Sequence, residues 1–272
     1  GDIAQLTPPW PYHQEFYGSD DLVSFCVHEL ETTIERIGPG RIAAMFGEPV
    51  MGVAGMVPPP DDYWPRMTQV LKEHDILFVA DEVVTAFGRV GAWYGSSHYG
   101  IEPDIIACAK GIASGYMPIG ALIIRSEVAD VLEGDYSGGS YGGHAVSCAV
   151  AKACIDIIER ENLLQNARER GLQFLQELQP LLDLPVVGDI HGLGLAIGVE
   201  LVSDKVTRAP LPLDDPTLVA RFREDTGVIF GLHGNTLVLT PPLVISPEEV
   251  SRTVEAVGSV AERLSTDGAY HR

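Results

Sequence analysis

Four short, almost wholly apolar runs constrain this chain most: IAAMFG (42–47), ILFVA (76–80), DIIACA (104–109) and PIGALIIR (118–125). Helical or loop-forming stretches separate them. Apolar runs of this length, without polar alternation, predict strands of a mostly parallel sheet buried on both faces, and hence an α/β fold. In such sheets functional groups collect just beyond the carboxyl ends of the strands. Glu48, Asp81 and Lys110 stand at those ends. Upstream, residues 1–18 read as an extended lead-in without periodicity. Residues 20–37 carry Leu22, Phe25, Cys26, Leu30, Ile34 and Ile37 at helical spacing, with Ser19 or Asp20 as the expected cap and Gly38-Pro39-Gly40 as the stop. A second amphipathic helix is expected near 62–74, with Tyr63, Met67, Val70 and Leu71 facing inward.

The pattern changes after residue 145. Residues 145–178 read as helix with a break near Glu161-Asn162. Strand-like runs follow at 185–188, 193–201, 227–230 and 236–240, with helices near 214–226 and 246–264. The expected division is a large domain over 1–160 and a small α+β domain over 161–272. With 18 basic against 38 acidic residues, the net charge of −20 opposes nucleic-acid binding and attraction to anionic membranes. No apolar run approaches the roughly 20 residues that span a bilayer, and GDIAQLTPPW resembles no secretory leader. The four cysteines (Cys26, Cys108, Cys148, Cys154) form neither a disulfide nor a zinc frame, so reduced thiols in a cytoplasmic protein are expected. The histidines, among them His98, His144, His191 and His233, include no HxH or HExxH arrangement, and no metal site is expected.

Lysine is scarce: Lys72, Lys110, Lys152 and Lys205 are the full set. Three lie in ordinary surface contexts, whereas Lys110 follows a buried strand and precedes GIASGY. Desolvation at a strand end suits Schiff-base chemistry, although a lysine can also reach solvent from such a position. Asp81, at the end of FVA, is either a cap of the next turn or an acid requiring a cation. Together, the two charges at strand mouths suit a pyridine-aldehyde cofactor, one holding the ring nitrogen protonated and the other meeting the aldehyde carbon.

The segment FVADEVVTAFGRVGAWYG, followed by GIEPDIIACAKGIASGYMPIGA, resembles the signature of class III aminotransferases, pyridoxal-phosphate enzymes of fold type I. GEPVMGVAGMVPPPDDYW, SYGGHAVSCAVA and LTPPLVIS fit the same pattern, and the ω-amino acid (amine):pyruvate transaminases are the most similar subgroup. The resemblance covers the chain from about residue 5 and implies a large domain with a mostly parallel sheet plus an α+β small domain. It also implies that Lys110 forms the Schiff base with pyridoxal 5'-phosphate and shuttles the substrate proton. Asp81 would pair with the pyridinium nitrogen, Val83 would pack on the ring, and Ser140 would reach a cofactor phosphate in a partner subunit. Glu48 would line the substrate pocket. The implied reaction moves an amino group between an amine or amino acid and a keto or aldehyde acceptor. Decarboxylation, amino migration or epimerisation on the same fold, and a non-catalytic or complementing subunit, are the alternatives.

The sequence departs from the family pattern in three places. The small-residue phosphate loop and the ring-stacking aromatic of an earlier segment are not found, so the chain resembles a C-terminal portion. A homodimer, or a hetero-assembly with a chain that supplies the front end, is expected. In HGNTLVLTPP, Thr236 and Val238 stand where subgroups carry the arginine that clamps a substrate carboxylate. Val53 and Val84 replace polar pocket residues. An apolar pocket for a bulky hydrophobic amine or carbonyl substrate is therefore expected.

Overall fold

The computed structural model describes residues 3–18, 21–132, 139–213 and 215–266. The chain forms two compact units. The first comprises Gly1–Pro49, Pro59–Gly88 and Ala92–Glu161; the second comprises Val50–Pro58, Arg89–Gly91 and Asn162–Arg272.

In the first unit, helices α1 (Leu22–Ile37) and α2 (Tyr63–Glu73) flank strand β1 (Ala44–Gly47) along the chain. Strands β2 (Leu77–Asp81), β3 (Ile105–Cys108) and β4 (Ala121–Ile124) complete a sheet in the order β1-β2-β3-β4. The first three strands are parallel and β4 runs antiparallel to β3. Helical spacing buries Leu22, Cys26, Leu30 and Ile34 of α1 against Tyr63, Trp64, Met67 and Leu71 of α2 and Phe78 of β2. Trp64 crosses the end of β1 so closely that a Cβ on Gly47 would lie 2.2 Å from its ring, and its indole N–H donates to Pro49 O at 3.1 Å.

Register then decides which face is covered. Met45, Phe78, Ala80 and Ile106 share the face packed with the helices. Phe46 and the row Asp81–Ala107–Leu122 share the other. Phe46 is 74% and Leu122 65% exposed, whereas Val79, on the same face as Phe46, is buried, so within this chain the face opposite the two helices is covered only in part. The lead-in is also not simply extended, since Pro11–Tyr17 forms 3-10 turns. The cap of α1 is Asp21, whose Oδ1 accepts from Ser24 N–H at 2.9 Å; Ser19 and Asp20 lie outside the described residues.

Short helices α3 (Gly95–His98) and α4 (Ser126–Ala129) precede α5 (Ala145–Arg160). The second unit opens its long stretch with α6 (Leu163–Leu178), after Asn162 breaks the helical path in a left-handed conformation. Strands β5 (Val187–Leu193), β6 (Ala196–Asp204), β7 (Ala209–Pro210), β8 (Gly231–His233) and β9 (Thr236–Leu239) form an antiparallel sheet in the order β5-β6-β9-β8, with β7 pairing β6. Helices α7 (Leu218–Thr226) and α8 (Pro247–Thr266) complete it. Ile190, Ile197, Val199, Leu201, Leu237 and Leu239 of the sheet join Phe174, Phe222, Val257 and Val260 in its core. The run 227–230, expected as a strand, is not one; the strand begins at Gly231.

Candidate active site

The carboxyl edge of the first unit's sheet gathers two of the residues singled out from the sequence, Asp81 and Lys110. Asp81 is the last residue of β2 and pairs in register with Ala107 of β3. Lys110 follows three positions along the same strand direction, at the start of a 3-10 turn (Lys110–Ala113). Parallel neighbours thus bring the acid and the amine to one edge of one sheet. The turns beyond the two strands also touch. A Cβ on Gly111 would lie 3.3 Å from Ala86 O and 3.4 Å from Phe87 Cβ, so glycine lets the lysine's turn seat against the turn that follows Asp81. Helix α5 packs against the same 3-10 turn.

Lys110 adopts φ +42°. A non-glycine residue held there costs on the order of 1–3 kcal/mol, and such strain concentrates at functional positions. Its side chain is exposed, so of the two readings left open for a lysine at a strand end it reaches solvent. Asp81 is partly buried, and its Oδ1 accepts from Val83 N–H at 3.1 Å. Among the described residues neither Asp81 nor Lys110 forms an ion pair. Val83, Ala107, Cys108, Gly120, Ala121 and Leu122 line a 320 Å³ depression at this edge. Burial and the nearby Glu82 carboxylate push the Cys108 thiol up from its ordinary range, so the depression is lined by uncharged groups.

Glu82 is a residue that sequence reasoning missed. It is fully buried, and its carboxylate accepts from Gly95 N–H and Ser96 N–H, each at 2.7 Å, and from the Thr85 hydroxyl. Three donors offset the cost of a buried charge and tie the far end of the 82–96 excursion to the end of β2. The signal available in the sequence was a glutamate next to the strand-end aspartate with a threonine three positions on.

The other predicted site residues are dispersed. Glu48 and Val84 are partly buried in the first unit, just beyond β1 and β2. Ser140 is exposed in the turn that precedes α5; among the described residues no hydrogen bond ties it to the Asp81–Lys110 edge. Part of its glycine-rich run, residues 133–138, lies outside the described residues. Val53 and Thr236 belong to the second unit. Val53 is 77% exposed, whereas Thr236 is 1% exposed and packs on Gly55. Thr236 therefore acts as a packing residue of its sheet and does not present its hydroxyl to solvent.

Within the GRVG run (88–91), Arg89–Gly91 belong to the second unit. Arg89 donates from Nη1 to Leu195 O at 3.0 Å and Pro241 O at 2.6 Å, while Leu195 N–H donates to Arg89 O. Burial lowers the guanidinium's pKa to about 10, which leaves it charged near neutrality. The described residues contain no cluster able to hold a metal and no helix long and apolar enough to cross a membrane. Cys26, Cys108 and Cys154 are buried free thiols, and Cys148 is exposed.

The model of the class-III aminotransferase family matches residues 1–260. The chain is 42% identical over 259 residues to an uncharacterized aminotransferase of Sinorhizobium fredii, covering 88% of this chain and 55% of that protein. It is 38% identical to the putrescine–pyruvate aminotransferase of Pseudomonas aeruginosa, covering 93% and 56%. An amine transaminase from an uncultivated Pseudomonas species, solved in its PLP-bound form, superposes with a TM-score of 0.90 at 40% identity over 95% of this chain and 61% of its own. An (S)-enantioselective omega-transaminase from Thermomicrobium roseum gives 0.89 at 40% identity, covering 96% and 59%. The chain thus spans little more than half the length of these relatives, with the fold of PLP-dependent transaminases of fold type I. It belongs to the class-III aminotransferase family.

Proposed function

We propose that this chain carries the lysine–aspartate centre of a pyridoxal-phosphate-dependent aminotransferase that moves an amino group between an amine or amino acid and a keto or aldehyde acceptor. The observation that carries this reading is the placement of Lys110, at positive φ beyond β3, on the sheet edge where Asp81 ends the adjacent parallel strand. The residues fit the cofactor: an accessible amine, a carboxylate and an apolar depression share that edge. When bound, pyridoxal phosphate supplies an aldehyde and an electron-withdrawing pyridinium ring. Lys110 Nζ holds the aldehyde end and carries a proton to and from the substrate carbon. The Asp81 carboxylate keeps the ring nitrogen protonated, oriented by the Val83 N–H. Val83 offers an apolar contact to the ring from the wall of the depression.

Ser140 is proposed to meet the cofactor phosphate across a homodimer or hetero-assembly in the cytoplasm. The preferred substrate is an apolar amine, because Val53 and Val84 are apolar and Thr236 and Val238 replace the carboxylate-binding arginine. Titrating pyridoxal phosphate into the purified chain tests the centre. After free cofactor is removed, a visible absorption band is expected to stay with the protein, to be absent in Lys110→Ala and to be shifted in Asp81→Asn. A band that persists in Lys110→Ala overturns the assignment. Preference for small dicarboxylates over apolar amines in steady-state assays overturns the substrate reading.

A further inference from the structure

The second unit's sheet has one apolar and one polar face. The face opposite its core carries Asp189 and His191 on β5, Gly198 and Glu200 on β6, Thr236 and Val238 on β9, and His233 on β8. The excursion Val50–Pro58 lies on it as a strap, closed on itself by the Met51–Val57 bridge and by Gly55 N–H and Met56 N–H donating to Gly52 O. Contact is close. A Cβ on Gly198 would lie 2.2 Å from Gly55 O, and one on Gly55, at φ +115°, would lie 2.9 Å from Thr236 Cγ2.

One side chain spans sheet and strap. His191 Nε2 lies 2.9 Å from Gly55 O, and its Nδ1 lies 2.8 Å from Asp189 Oδ2. A carbonyl only accepts, and an ionised carboxylate only accepts. Each neutral tautomer of the ring satisfies one partner and turns a nitrogen lone pair on the other. The doubly protonated ring alone donates to both. Gly198 keeps the space open, since its Cβ would also lie 2.4 Å from Nε2.

We propose that His191 is a positioning residue, a proton-dependent latch that holds the 50–58 strap, and with it Val53, on the sheet while the imidazole carries both protons. The titratable groups facing it are Asp189 on its own strand, Glu200 opposite Asp189 on β6, and His233 one strand beyond Thr236; the strap contributes none. The latch is closed while the ring is an imidazolium and weakens when the ring gives up a proton, because one of the two acceptors then faces a lone pair. Its effect on substrate binding, through Val53, rests on the transaminase reading above; the latch itself does not.

Hydrogen exchange of the 51–57 amides in the full chain tests it, with rates corrected for the intrinsic pH dependence. Protection in the wild type is expected to fall about tenfold between about pH 5 and about pH 8, the factor one charge-assisted hydrogen bond supplies. Asp189→Asn discriminates a latch from mere packing. A carboxamide can turn its N–H toward Nδ1 while neutral His191 still donates from Nε2 to Gly55, so protection should persist to the high end. Wild-type protection that is flat with pH, or an Asp189→Asn variant that loses it as the wild type does, overturns the proposal. Nitrogen-15 NMR of the wild-type imidazole gives an answer independent of any variant's folding: a lone pair kept on either ring nitrogen at the acidic end, where the strap amides are most protected, overturns it. If exchange behaves as expected while KM for an apolar amine shows no matching pH dependence, the latch stands and its link to the substrate falls.

Discussion

Lys110 occupies backbone space that glycine accepts without penalty. Lys110→Ala and Lys110→Gly both remove the amine, yet the glycine variant should be more stable by about 1 kcal/mol in urea denaturation, because only it relieves the positive φ. Equal stability would show that the turn relaxes after truncation. Glu82 makes the opposite case. Glu82→Gln keeps the shape but turns an N–H₂ toward donors, so one of three hydrogen bonds becomes a donor–donor clash. A loss of about 2–3 kcal/mol is expected by denaturation. Asp81 and Lys110 were legible in the sequence because a charge that ends an apolar run marks a strand mouth. Glu82 was not, because its importance depends on Gly95 and Ser96 returning to it through the fold. Whether Lys110 is covered or exposed was not legible either: strand position is local information, but the seat of the following turn depends on Gly111 meeting Ala86 and Phe87.

At the scale of elements, Gly171 sets two effects against each other. Alanine in the middle of α6 gains up to about 1 kcal/mol in helix propensity. Its Cβ, however, would lie 2.2 Å from Gly194 O in the β5–β6 turn, a backbone atom that cannot step aside. The clash wins, and Gly171→Ala should destabilise by about 1–3 kcal/mol, read as a lowered denaturation midpoint. Helix α1 carries a pH effect. Burial first, and Glu29 second, push the Cys26 thiol from 9.0 to about 11. The folded state therefore holds that proton more tightly than the unfolded chain. The stability linked to it is complete below about pH 9 and disappears as pH rises toward about 11. A denaturation midpoint followed across that window should fall less steeply in Cys26→Ala than in the wild type. The periodic helices α1, α2 and α8 were readable within a few residues because spacing alone exposes them. In the second unit β9 was readable too, but the first hairpin was not: the turn between Leu193 and Ala196 is itself apolar, so hairpin and strand merged into one run.

For the whole molecule, a net charge of −20 makes self-repulsion a general burden on the compact state. Moderate salt screens it within a Debye length of about 8–10 Å. Melting temperature should rise between low and roughly physiological ionic strength, and a flat profile would mean that the acids are already compensated locally. The mostly parallel sheet and the helix break near Glu161-Asn162 were legible from apolar runs and spacing. The allegiance of Val50–Pro58 and Arg89–Gly91 to the second unit was not, since two short loops carry no periodicity and declare themselves only through contacts such as Arg89 with Pro241.

That allegiance has a consequence for dissection. A polypeptide starting at Asn162 would lack Arg89, so Leu195 and Pro241 would lose the guanidinium that joins them, and His191 would face water where Gly55 belongs. Such a fragment should aggregate or remain molten when expressed alone, and a peptide spanning 50–58 supplied in trans should restore part of its order.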